Sequence, residues 1–108
     1  MQRLQSGCER LGIQTPDADK LRQEAESLIG SQEKGVLKLV LTRGESQRGY
    51  AAPIDAHPNR IMYLSDWPDR PRARADAGLR LRFCTTRMAM NPSTAGIKHL
   101  NRLEQVLA

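Results

Sequence analysis

The chain has 108 residues, 17 Lys and Arg against 12 Asp and Glu, a net charge of +5 and a pI near 9.8. One domain with a modest core is the most this length supports, and with 4% aromatic residues that core must be largely aliphatic. The basic balance favours anionic partners, whether phosphates, carboxylates or nucleic acid, and composition does not choose among them. Cys8 and Cys84 form no CxxC pattern, so reduced thiols are expected rather than a disulfide framework. His57 and His99 have no neighbours at metal-ligand spacing, and no metal site is expected. No apolar leader and no membrane-length run appears, which predicts a soluble, cytoplasmic protein without membrane partners.

Residues 2–12 read as a helix with Leu4, Cys8 and Leu11 on one face and Gly12 as its stop. No Ser, Thr or Asp caps its start, so the chain is expected to begin inside a helix, as a truncated start would. Thr15-Pro16-Asp17 opens a second helix, whose apolar face is Leu21, Ala25 and Leu28 and which Gly30 closes. Gly35 to Thr42 is the strongest strand signal, nearly all apolar and bounded by glycine, and is expected to be central in a sheet. A loop rich in Gly, Pro and Ala leads to a second strand over Arg60 to Ser65. Residues 67–77, rich in Pro, Asp and Arg, read as a linker between a first domain (1–66) and a second (78–108). Leu79 to Phe83 alternates apolar and polar, which predicts a third strand. Asn91-Pro92-Ser93 forms a turn and leads through Ala95-Gly96 into a helix expected to reach the chain end, with Ile97, Leu100, Leu103 and Leu107 as its apolar stripe. The fold class is α/β in the order α-α-β-β-β-α.

Lys98 falls in the first turn of that expected helix. The positive end of the helix dipole and Arg102 one turn away both disfavour its charged form, and a neutral lysine can act as a nucleophile. Charged residues opposite an apolar stripe are ordinary, however, and spacing alone reads Lys98 as a solvated lysine. Gly44 and Gly49 have P-loop spacing, but the Lys-Ser/Thr pair that must follow is absent, so a P-loop is rejected. Arg70, Arg72, Arg74, Arg80 and Arg82 form the most basic stretch. Asp66, Asp69 and Asp76 interrupt it and aromatic stacking platforms are missing, so nucleic acid is not an expected partner.

The run Gly96-Ile97-Lys98-His99-Leu100-Asn101-Arg102-Leu103-Glu104-Gln105 resembles the lysine segment of the fold-type IV pyridoxal-phosphate enzymes, the class IV aminotransferases. The likeness is strongest to the lyases of that family, which convert 4-amino-4-deoxychorismate to 4-aminobenzoate and pyruvate in folate synthesis. It implies pyridoxal 5'-phosphate as cofactor and Lys98 as the residue bonded to it, acting as nucleophile and then as base. Leu41-Thr42-Arg43-Gly44 with Arg48-Gly49-Tyr50 is similar to the family segment that reaches toward the substrate carboxylate, which implies Arg48 as its ligand with Tyr50 and Arg43 in support. Gln2-Arg3-Leu4 is similar to the family helix whose arginine binds the cofactor phosphate, which implies Arg3. The resemblance further implies a homodimer. It also implies that these residues are an internal fragment, without the family's first strands and without the later acidic residue that pairs with the cofactor's pyridine nitrogen. The alternatives are a branched-chain or D-amino acid aminotransferase of the same family and, from a different class, a non-catalytic basic interaction fragment.

Overall fold

The computed structural model describes residues 1–68, 77–78 and 80–108. The chain divides into two compact units, Met1–Pro68 and Asp69–Ala108. Most of the predicted linker, residues 69–76, lies outside the described residues.

The first unit holds four elements. α1 spans Gln2–Leu11. It ends in a Schellman motif: Gly12 adopts φ 60°, its N–H donates to the Glu9 carbonyl, and the Ile13 N–H donates to the Cys8 carbonyl. α2 spans Ala18–Ile29 and starts as the sequence suggests. The Asp17 carboxylate accepts from the Lys20 N–H at 2.8 Å, satisfying one of the free donors of the first turn, and Asp19 adds favourable charge there. Gly30, at φ 53°, closes the helix by donating to the Glu26 carbonyl.

β1 (Gly35–Thr42) pairs antiparallel with β2 (Asn59–Asp66), from Gly35 opposite Asp66 to Thr42 opposite Asn59. The alternation of side chains divides the ladder into two faces. Leu39, Leu41, Met62 and Leu64 are half-buried and share a face with Arg60, whose guanidinium meets Glu24 of α2. That pairing places α2 over this face. On the other, Val36, Ile61 and Tyr63 are exposed, and the Lys38 ammonium lies 5.4 Å from the ring centre of its cross-strand neighbour Tyr63. β1 thus carries apolar residues on both faces, with its second half, Leu39 to Thr42, the better covered, and among the described residues its sheet has two strands. The core is small: Cys8 of α1 and Leu21 of α2 are the only buried apolar residues among those described.

Arg60 grips Glu24 with two donors, Nη2 to Oε1 at 2.8 Å and Nε to Oε2 at 3.3 Å. The hydrogen bonds and charge of Arg60 hold the Glu24 carboxyl below its ordinary pKa. A carboxyl depressed by folding stabilises the fold above its unfolded pKa, near 4.3, and that contribution is lost as pH falls through the folded value. Glu24→Gln is therefore expected to lower the melting temperature at pH 7 and to lower it less at pH 3. An equal effect at both would show that the charge does not contribute, and the pair's partial exposure makes the difference salt-sensitive.

The second unit departs from expectation in two places. Residues 80–83 form no strand, and Leu81 and Phe83 are exposed. Alternation marks a sequence able to line a sheet, but a strand exists only where a neighbouring ladder accepts it, and none does among the described residues. The predicted C-terminal helix also shrinks: α3 covers only Leu103–Leu107. Upstream, Asn91 organises a single isolated turn. Its side-chain oxygen accepts from the Ser93 N–H at 3.0 Å, and its carbonyl accepts from Thr94 and Ala95 at 3.1 and 3.0 Å. Gly96, at φ 78°, ends that turn. The left-handed conformation breaks the helical path, so Ile97 to Asn101 run outside any helix and the predicted apolar stripe is left largely exposed. Glu104, in the first turn of α3, accepts from the Ala89 N–H at 2.9 Å and ties the preceding stretch to the helix.

Candidate active site

Arg3 apart, which lies on α1, two segments carry the residues that the sequence singled out. One is the β1–β2 loop of the first unit; the other is the stretch around Lys98 in the second.

The loop leaves β1 at Arg43 and returns to β2 at Pro58. Its two ends touch. A Cβ at Gly44 would overlap the His57 carbonyl oxygen and stand 2.9 Å from its carbonyl carbon, and Gly44 has φ 101°. Only glycine permits this backbone approach. The loop is thus a hoop closed at its neck, of the Ω type. Inside it lies a hollow of about 720 Å³ whose lining includes Glu45, Gln47, Arg48, Asp55, His57 and Asn59.

Arg48 lines this hollow and, among the described residues, its guanidinium has no ion pair or hydrogen bond, so it is available to an anion. Glu45 and Asp55 share the wall, so the hollow offers both signs of charge rather than a basic funnel. Tyr50 is fully exposed and is not part of the lining. Arg43 does not line the hollow either: its Nη2 donates to the Leu11 carbonyl at the end of α1. His57 and Asn59 were not identified from the sequence as part of a site. Neither stands in a motif, and they reach the wall because the neck brings the two ends of the loop together.

Lys98 is exposed, while Ile97 and His99 on either side are half-buried. The two neighbours pack and the lysine is turned outward. The His99 Nδ1 atom is buried and has no hydrogen-bond partner among the described residues. Lys98 is not in the first turn of a helix, because that turn does not form there; the expected bias from a helix dipole is therefore withdrawn. What remains is an exposed primary amine with no hydrogen bond or ion pair among the described residues. Arg3 lies on the exposed side of α1, away from the face that buries Cys8. Arg3 and Arg48 belong to the first unit and Lys98 to the second.

A family model described as amino-transferase class IV matches residues 1–108. The chain belongs to the class IV aminotransferases. The resemblance read from residues 96–105 is thereby met over the full length. This class IV aminotransferase chain is similar to an aminodeoxychorismate lyase from Vibrio harveyi, 32% identical over 108 residues, covering 100% of this chain and 40% of that protein. It is also similar to the crystal structure of 4-amino-4-deoxychorismate lyase from Pseudomonas aeruginosa, with TM-score 0.86 and 50% identity, covering 98% of this chain and 39% of that one. The mixed α/β fold is thus that of part of a class IV aminotransferase. The chain spans about 40% of the length of these two relatives.

Proposed function

We propose that this chain is part of a pyridoxal-phosphate-dependent lyase that converts 4-amino-4-deoxychorismate to 4-aminobenzoate and pyruvate. The observation that carries the reading is the outward-turned amine of Lys98, set between two packed neighbours in a chain whose whole length is similar to such lyases. The unit Met1–Pro68 then belongs to the smaller domain and Asp69–Ala108 to the start of the larger, cofactor-binding one. A homodimer in the cytoplasm is the expected setting.

The side chains suit the cofactor in kind. An aldehyde phosphate calls for a primary amine and for fixed positive charge, and Lys98 and Arg3 supply them without competing partners among the described residues. When bound, pyridoxal phosphate supplies an electrophilic aldehyde and an electron-accepting ring. Lys98 would hold the cofactor through its side-chain amine, and the same Nζ, when neutral, would take the proton from the substrate carbon that bears nitrogen. Arg48 would meet a substrate carboxylate with two parallel donors from the wall of the hollow; Tyr50, on the same loop but outside the lining, enters only through the family resemblance. The ring C–O bond would then break, and the proton returned to the departing enolpyruvyl group would give pyruvate and leave the ring aromatic.

Addition of pyridoxal phosphate, reduction with borohydride and mapping by mass spectrometry test this directly. One stoichiometric adduct on Lys98 is the expected result. Adducts spread over Lys20, Lys34, Lys38 and Lys98 would exclude a specific site. The breadth of the matching family favours transamination as the second reading. Amino transfer that depends on a branched-chain or D-amino acid partner's keto acid, without pyruvate release, would establish it. A steeply salt-dependent affinity for nucleic acid with no adduct at all would instead support a basic interaction fragment.

A further inference from the structure

The junction of α1, β1 and the loop contains a contact that the reading above leaves unused. Arg43, the first residue after β1, is half-buried and donates through Nη2 to the carbonyl of Leu11, the last residue of α1. The Schellman motif already occupies the Cys8 and Glu9 carbonyls, so the guanidinium meets an acceptor that the motif leaves over, at the negative end of the helix. Gly12 sits beside it: a Cβ there would stand 3.5 Å from Arg43 Nη2. The very next residue, Gly44, is the one pressed against the His57 peptide. Two consecutive residues therefore anchor the root of the loop in two directions, Arg43 to α1 and Gly44 to the loop's far end. In a hoop closed at its neck, the placement of the neck governs the placement of what the hoop carries, and this one carries Arg48.

We propose that Arg43 is a positioning residue, fixing the root of the β1–β2 loop to the C-terminal end of α1 and thereby setting where Arg48 stands in the hollow. That Arg48 meets a substrate carboxylate rests on the function proposed above; the coupling of loop to helix does not. The length of the contact in sequence, 32 residues, makes it a tie between elements rather than a local cap.

Limited digestion with trypsin, with hydrogen exchange of the helix and strands read alongside on the 108-residue chain, tests the coupling. In Arg43→Ala, cleavage after Arg48 and exchange of peptides across the end of α1 are both expected to be at least about tenfold faster, the size associated with losing one charge-assisted hydrogen bond. Peptides of β1 and β2 keep their rates. Faster exchange across residues 9–13 with cleavage after Arg48 unchanged overturns the proposal, because Arg43 then only caps its helix. Should Arg43→Ala also expose the β ladder, Arg43→Met decides, since it retains an apolar stem and removes the donors; loss of the ladder in both variants overturns the proposal in favour of a general stability role. In the lyase assay, Arg43→Met is expected to raise KM and to add little to Arg48→Ala, the non-additivity of residues acting through one another. An unchanged KM in Arg48→Ala itself would sink the substrate reading and leave the coupling standing.

Discussion

Replacing Lys98 by alanine is expected to reduce pyruvate release from 4-amino-4-deoxychorismate by at least about a thousandfold. The change removes both the amine that would hold the cofactor and the base that would take the substrate proton, and base catalysis alone commonly contributes 10²- to 10⁴-fold. The side chain is exposed, so the fold does not depend on it, and the far-ultraviolet circular dichroism and melting temperature should match those of the parent. Two further measurements separate a missing amine from incidental damage. Lys98→Arg keeps the positive charge and should be as inactive as the alanine variant, because a guanidinium stays protonated and cannot act as nucleophile or base. A small primary amine in the buffer should restore part of the activity to Lys98→Ala and none to Lys98→Arg. Retention of more than a tenth of the parent rate in Lys98→Ala would remove the lysine from the reaction altogether.

Gly44→Ala is expected to be the most damaging single change to the first unit. At φ 101° any side chain is strained, and here the added carbon would also strike the carbonyl group of His57. Backbone cannot yield as a flexible side-chain tip can. The combined cost is about 3 kcal/mol or more, which in a domain of this size lowers the melting temperature by on the order of 15 °C. Gly49 provides the control. It too has a left-handed φ, 118°, but a Cβ there meets nothing within 4 Å, so Gly49→Ala should bear only the conformational penalty of about 1 kcal/mol. Thermal unfolding followed by circular dichroism reads both. Equal losses from the two substitutions would mean that the approach of Gly44 to His57 does not hold the loop. Because Arg48 stands in the same hoop, the opened neck in Gly44→Ala should also weaken substrate binding more than Gly49→Ala does.

Much of the first unit was readable from the sequence, and the residues say why. α1 stops where Gly12 permits a left-handed turn, α2 starts where Asp17 offers an oxygen to the Lys20 N–H, and Gly30 closes it. β1 and β2 coincide with the two β-rich runs. Each of these signals is written in residues a few positions apart, so a local reading recovers them. The C-terminal stretch misled for the same reason in reverse. Ile97, Leu100, Leu103 and Leu107 have helical spacing, yet spacing describes only which face a helix would bury. With Gly96 in a left-handed conformation and that face exposed, there is little to stabilise a helix through Lys98. The alternation around Leu81 and Phe83 likewise has, among the described residues, no partner strand that would use it.

By itself, then, the amino-acid order determined the first four elements, their ends and, through the run around Lys98, the family to which the chain belongs. Only the tertiary structure decided that Gly44 meets His57, that Arg43 reaches the end of α1, that Arg48 faces a hollow while Tyr50 does not, and that Lys98 is turned out between Ile97 and His99 on a non-helical segment. The physical reason is range. Caps and strand propensities are settled by neighbours along the chain, whereas a loop neck and an arginine reaching a distant helix end depend on how separate elements pack, which no local pattern records.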